Sequence, residues 1–414
     1  MKFFAKPSIE LQGYCSPEFS ALSTVFQRIL PARAAGGAAI CVYYKGSKVL
    51  DLWAGSAREG EAWQKDSMAL SYSTGKAALA TLVHRLVDQG LLDYDRPLAA
   101  DWPEFAQQGK GNITLRHVLS HQSGLYDVRN TIQAATEMLD WQAMLHAYEA
   151  AKPRFVPGTA TAYQALSFGW LLGGLIEKVS GQALPAVFEK ELVQPLGLDG
   201  AYFGVPADQL HRVAKPIIKP VHPAMTAQHA STKPREKLAA NMRRPLTMQE
   251  KFMQLTGLDP YDAEDALMPK GVSRFSFFHD KVLQACIPAA NGVFTARSLA
   301  KMYDMLVHQG RVDGQQYLSP ERVQALSQIQ TRQRDRVMPL PMYWRLGYHR
   351  VLSFGKQAPQ GLSHIGYNGS GAWGDPSREL SFAYIHNLAG SSITGDYRLW
   401  WLTHSALQAA DRLA

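Results

Sequence analysis

The chain has 414 residues, 46% of them hydrophobic and 19% charged, with a formal net charge of +8. That length and apolar content bury a large core, which excludes fibrous and disordered classes and fits one large domain or two closely joined ones. Three widely spaced cysteines, Cys15, Cys41 and Cys286, fit reduced, buried thiols rather than a disulfide framework, and leave no Cys-rich metal site.

The positive charge is local. Between Arg212 and Lys251, nine Lys or Arg face only Glu236 and Glu250, and Pro216, Pro220, Pro223, Pro234 and Pro245 interrupt any regular element. The stretch 212–251 therefore reads as a solvated basic loop, with a lid or a site for an anionic partner as the alternative. No aromatic residue interleaves with these charges, which argues against nucleic acid. No uncharged apolar run reaches about 18 residues, and the start, Met1 to Pro7, turns polar before a signal-peptide core forms; the expectation is a cytoplasmic chain with no membrane association.

Taken in chain order, residues 37–53 alternate around Ile40, Val42 and Tyr44, turn at Lys45-Gly46-Ser47 and resume with Val49, Leu50 and Leu52, which predicts a β-hairpin. Leu79, Leu82, Val83, Leu86 and Val87 then follow the spacing of a helix face, closed by Gly90. From about residue 97 to 285 the segments read as helical or irregular: 114–121, 141–151, 166–179 and 184–193. A helix capped by Thr295 carries Leu299, Met302, Tyr303, Leu306 and Val307 on one face and stops at Gly310. Short apolar runs at 351–354, 361–365, 372–373 and 380–386 predict strands, and the stretch from Tyr397 is helical. Strands from both ends of the chain thus imply an α+β fold, an antiparallel sheet flanked by terminal helices. Residues 1–95 with 286–414 form an α/β domain in this reading, and residues 96–285 a helical insertion.

Three elements carry chemistry. The first is Ser71-Tyr72-Ser73-Thr74-Gly75-Lys76, just before the first long helix. Spacing of three at a helix start puts the Ser73 hydroxyl and the Lys76 amine on one face, beside free backbone N–H groups that favour developing negative charge. Burial would lower the lysine pKa and let it accept a proton. Taken alone, Ser-x-x-Lys occurs often by chance, and Ser73 reads more readily as a helix cap and Lys76 as a surface charge. The second element is Pro157 to Ala165, in which Tyr163 approaches a helix start and can relay a proton; the bland alternative is a core tyrosine. The third, His364-Ile365-Gly366-Tyr367-Asn368-Gly369-Ser370-Gly371, ends a strand in small residues, where bare backbone can approach a ligand, or simply turn.

The order and spacing of these elements resemble the serine β-lactamase and penicillin-binding-protein superfamily, and most of all its family VIII carboxylesterases. Supporting stretches are Ile113 to Leu125, with its Leu119-Ser120-His121-Gln122-Ser123-Gly124, then Pro195 to Asp199, and Pro288 to Gly292. The resemblance implies a β-lactamase-like fold with Ser73 as nucleophile, Lys76 as its proton acceptor and Tyr163 as second base or relay. It also implies an oxyanion hole from the backbone N–H groups of Ser73 and Tyr367, and a substrate site that includes His364, Gly366, Asn368, Tyr72 and Ala165. His364 takes the place of the lysine in the family's K-T-G triplet, and Tyr163-Gln164-Ala165 lacks the amide of Tyr-x-Asn. Both departures favour carboxylic esters over β-lactams, because a fixed cation and a side-chain amide are lost. A G-x-S-x-G elbow is absent. His121 reads as structural, and the histidine spacing offers no metal or cofactor site. The expected activity is hydrolysis of small-molecule esters with short to medium acyl chains; the alternatives are a β-lactamase, a D-amino-acid peptidase, an acyl transferase or a non-catalytic scaffold.

Overall fold

The computed structural model describes residues 9–31, 35–217, 259–388 and 396–414, with isolated positions 248, 251 and 254. Most of the basic stretch 212–251 lies outside the described residues. The principal sheet uses β1 (Gln12–Cys15), β2 (Gly37–Tyr44), β3 (Ser47–Arg58), β4 (Leu362–Ile365), β5 (Gly371–Asp375) and β6 (Leu380–His386) in the order β1-β3-β2-β6-β5-β4, with a short strand Glu61–Ala62 on β3. Every pairing in it is antiparallel. The β2–β3 turn puts Lys45 and Gly46 at positive φ, as a tight hairpin requires. The seam of the sheet is β6 against β2, which joins the two ends of the chain from Leu380↔Tyr44 to His386↔Ala38.

The helices that cover the sheet and carry the site are α1 (Ser20–Ile29), α2 (Gly75–Asp88), α3 (Leu115–Leu119), α4 (Trp141–Ala150), α5 (Ser167–Ser180), α6 (Ala296–Val307) and α7 (Tyr397–Asp411). Alternation along β6 decides which helix meets which face. Leu380, Phe382 and Tyr384 pack with Phe26 of α1 and Leu402 of α7, while Ala383 and Ile385 pack with α6. Small residues on the α6 side let that helix lie close: a Cβ on Gly374 would stand 2.7 Å from Val307 Cγ2. Helix α2 runs through the larger core and buries Leu79, Leu82, Val83 and Leu86. Each such side chain stabilises the fold by about 1.5–3 kcal/mol.

A second, four-stranded sheet consists of short segments, ordered Ala201–Tyr202, Val293–Phe294, Met68–Leu70 and Val213–Ala214. Its contribution from the largely helical middle of the chain is two strands of two residues each, too short to print a period on the sequence. The run 351–354 is not a strand; instead His349 makes an isolated bridge to Ser363 at the edge of β4. The remaining expected elements form close to the stated bounds, and α1 and β1 add to them. All three cysteines are unpaired, Cys41 within the sheet and the other two partly exposed. No helix among the described residues is long and apolar enough to cross a membrane.

Candidate active site

Met68–Leu70 leads into Ser71, whose N–H donates to Gly292 O (2.8 Å) and whose hydroxyl donates to Ala69 O (3.0 Å). The chain then makes a single 3₁₀ turn, Tyr72–Thr74, before α2 begins at Gly75. To enter that turn Tyr72 takes φ +47°, a left-handed conformation that costs a bulky residue on the order of 1–3 kcal/mol. The strain is held by the anchors of Ser71 and by Thr74, whose hydroxyl donates to Ser370 O (3.2 Å). Ser73 emerges at the head of α2, and Lys76, one turn on, reaches back to it.

The Lys76 environment is unusual for a charged group. Its Nζ contacts Ser73 Oγ at 3.0 Å and donates to the carbonyls of Ala165 (2.7 Å) and Ala289 (2.8 Å), and the side chain is 0% exposed. Burial pushes its pKa well below the ordinary lysine value, and no carboxylate among the described residues offsets this. A neutral amine fits the three contacts: two N–H bonds point at carbonyls and the lone pair is left for the Ser73 hydroxyl. Asn291 secures one of those carbonyls, since its side chain accepts from Ile287 N and donates to Val282 O and Ala285 O, fixing the 287–291 turn.

Tyr163 lies over Lys76, with Nζ 5.0 Å from its ring centroid. Burial raises the phenol pKa, and a hydrogen bond with the Ser73 hydroxyl pulls the other way. The ring stacks on Trp344 (5.4 Å between centroids, 6° between planes) and meets the edge of His121 at 5.0 Å. Asp335 sets this arrangement. Its buried carboxylate accepts from Tyr163 N (3.1 Å), Val337 N (2.8 Å), Met338 N (3.0 Å) and Trp344 Nε1 (2.8 Å). His121 accepts from Gln164 N through Nδ1 (3.2 Å) and packs 4.1 Å from Trp344; it lines neither compartment of the cleft.

Across the cleft, β4 ends beside the Ser71 turn so closely that a Cβ on Gly366 would stand 2.3 Å from Ser71 O. Among the described residues no acceptor takes the Tyr367 N–H. His364 is 1% exposed; its Nδ1 faces Ile365 O at 3.2 Å and its Nε2 has no partner among the described residues. Burial holds it neutral, its pKa well below the ordinary histidine value. Asn368 is turned away from the cleft: its amide reaches Leu70 O and His386 O, both at 3.4 Å, and accepts from Ser370 N. It pins the strand-end loop rather than lining the cavity.

The cleft has two compartments that share Ser73, Leu267 and Tyr367. One holds about 260 Å³ and is walled by Tyr72, Ala165, Leu166, Val272, Phe275 and Phe277. The other holds about 20 Å³, beside Tyr163, Met338, Met342, Trp344, His349 and His364. The structure thus gathers Ser73, Lys76, Tyr163, Tyr72, Ala165 and His364 in one place. It adds Ala289, which lies in the supporting stretch Pro288 to Gly292, and Asp335, Trp344 and His349, which have no sequence signature: Asp335 sits among Arg332, Arg334 and Arg336.

The sequence model of the beta-lactamase family matches residues 22–404. The chain belongs to the beta-lactamase family. Within it, the chain is 37% identical over 383 residues to an esterase/beta-lactamase, LipL, of Mycobacterium tuberculosis, covering 91% of this chain and 82% of that protein. Its fold is similar to the crystal structure of a family VIII carboxylesterase, with a TM-score of 0.80 and 28% identity over 98% of this chain and 100% of that one. It is similar, too, to a penicillin-binding protein homologue from Caulobacter crescentus, at TM-score 0.79 and 29% identity over 97% of this chain and 100% of the other. The β-lactamase-like α+β fold expected from the sequence is therefore the observed one, and the family is one of serine hydrolases.

Proposed function

We propose that this chain hydrolyses carboxylic esters through an acyl-enzyme on Ser73. The observation that carries the reading is the contact of a buried lysine, with two carbonyl acceptors and no carboxylate partner, with a serine hydroxyl at 3.0 Å. In this reading Ser73 Oγ attacks the ester carbonyl carbon as its proton passes to the Lys76 lone pair. The oxyanion is met by the N–H groups of Ser73 and Tyr367, the former at the positive end of α2. When the carbon–oxygen bond to the alcohol breaks, the alkoxide takes the phenolic proton of Tyr163, and Lys76 returns a proton to the phenolate. Water then attacks the acyl carbonyl with the same residues in reversed roles, giving the free acid and restoring the Ser73 hydroxyl.

Ester rather than β-lactam preference rests on His364. Held neutral, it supplies no fixed positive charge for the carboxylate that a penicillin carries next to its scissile amide, and Ala165 supplies no side-chain amide.

Intact-protein mass spectrometry after brief exposure to methyl esters and to a penicillin, with Ser73→Ala alongside, tests the proposal. An acyl mass that appears from esters, decays with turnover and is missing from Ser73→Ala is the expected result. Full ester turnover by folded Ser73→Ala would overturn the mechanism, and a stable penicilloyl adduct with little ester turnover would overturn the substrate class.

A further inference from the structure

The two compartments that meet at Ser73 differ in size, the one beside His364 being the smaller, and only the smaller holds the Tyr163 phenol. Tyr163 lines the compartment of about 20 Å³ and not the one of about 260 Å³. We infer that the chain sorts its esters by size, taking bulky apolar acids in the larger compartment and small alcohols in the smaller. The inference rests on the acyl-Ser73 reading and names the substrate class for it.

The direction of the sorting follows from where the proton is needed. Of the two fragments of a cleaved ester, only the departing alkoxide must take up a proton at once, so it leaves on the Tyr163 side and the acyl group occupies the other. The water that later resolves the acyl-enzyme attacks from the place the alcohol left, by microscopic reversibility. A volume of about 20 Å³ matches such an occupant, because one water needs roughly 10–15 Å³ of this kind of space. Met338, Met342 and Trp344 close the walls beyond it.

His364 gives the small compartment a second polar anchor. A backbone carbonyl can only accept, so Nδ1 carries the proton toward Ile365 O and Nε2 is left with a lone pair. That lone pair is buried and without a partner among the described residues, and an unsatisfied buried acceptor is costly. The hydroxyl of water or of a small alcohol can satisfy it. The large compartment has the opposite character. Phe275, Phe277, Tyr72 and Val272 line it, and no charged side chain does among the described residues. It therefore suits an uncharged aryl or branched alkyl acid and disfavours charged aminoacyl groups. Acyl transfer to alcohols larger than ethanol is disfavoured for the same reason, which makes water the principal acceptor.

Two ester series test the sorting: methyl esters of acetic, butyric, hexanoic and phenylacetic acids, and hexanoates of methanol, ethanol and butanol, with acyl-Ser73 followed by mass in every arm. The expected kcat/KM rises at least about tenfold from methyl acetate to methyl hexanoate and falls at least about tenfold from methyl to butyl hexanoate, since each methylene in a fitted pocket is worth about 10-fold or more. Met342→Ala should raise the butyl-to-methyl ratio about tenfold, and Met338→Ala serves in its place if that variant melts early. Flat or reversed series, or an unchanged ratio in a folded variant, overturn the sorting while an acyl-Ser73 mass leaves the mechanism standing. Absence of that mass with every ester overturns both.

Discussion

Lys76 is the residue on which the proposed chemistry turns, and its burial makes opposite demands on stability and activity. Only the amine form can take the Ser73 proton, so kcat/KM should fall as pH drops through the depressed lysine pKa. No alkaline limb should follow within the stable range, because the Tyr163 phenol is pushed above its ordinary value. The stability sign is the mirror of this. A lysine with a lowered folded pKa binds fewer protons folded than unfolded, so its contribution to stability improves as pH rises from the folded pKa to about 10.4. Lys76→Met abolishes the titration; its Tm minus that of the parent should therefore decrease as pH rises from the depressed lysine pKa toward the ordinary one, and a difference independent of pH would refute a neutral buried amine. The Ser73–Lys76 contact was legible in the sequence because Ser-x-x-Lys needs only a helix start to become one, whereas Tyr163 was brought to it by the family resemblance and not by spacing. Asp335 was not legible, since its four donors come from Tyr163, Val337, Met338 and Trp344, and no local spacing announces such a gathering.

Elements matter here mainly through how closely their ends approach. The strand-end loop of β4 is held to the Ser71 turn by Thr74 Oγ1 to Ser370 O and by Asn368, and at Gly366 the two backbones leave no room for a methyl group. Gly366→Ala must displace β4 from the turn, which carries the Tyr367 N–H away from Ser73. A loss of about 10²–10³ in kcat is expected, the cost of one oxyanion donor, with a much smaller effect on melting; near-normal kcat measured on methyl esters would mean that Tyr367 N–H takes no part. At this scale the sequence was uneven. Long periodic elements such as α2 and α6 stood out, as did the hairpin β2–β3 with its Lys45-Gly46 turn. The run 351–354 misled, because a short apolar segment looks the same whether it pairs as a strand or crosses the core as irregular chain. The strands Ala201–Tyr202 and Val213–Ala214 were invisible for the reverse reason: two residues carry no alternation, and only their partners Val293–Phe294 and Met68–Leu70 give them identity.

The whole molecule is closed by its last strands. β6 lies in the middle of the sheet against β2, and β1 to β3 have no other neighbour on that side. A fragment ending at residue 360 keeps the hairpin, α2 and the helices of the middle region, yet leaves an open edge on β2 and strips α7 from the core shared with α1. It should show no cooperative melt by circular dichroism and no reaction of Ser73 with a fluorophosphonate; a cooperative transition would mean that the N-terminal strands fold without their partners. Contacts across such sequence distances also make for slow folding. The antiparallel sheet drawn from both ends of the chain was readable from strand placement alone, but the order β1-β3-β2-β6-β5-β4 was not, because nothing in the pattern of one strand names its neighbour.

The bond from Thr74 to Ser370 joins residues 296 positions apart. At ribosomal speeds of about 5–20 residues per second, the segment bearing Ser73 waits on the order of 15–60 seconds for the segment bearing Tyr367 to be synthesised. Through that interval the nascent chain has a serine and a lysine but only half of the proposed oxyanion site, in a helix whose apolar faces are still uncovered. Catalytic competence therefore arrives late, with the final strands and α7. A chain stalled before them is an aggregation hazard for the cell rather than a partial hydrolase.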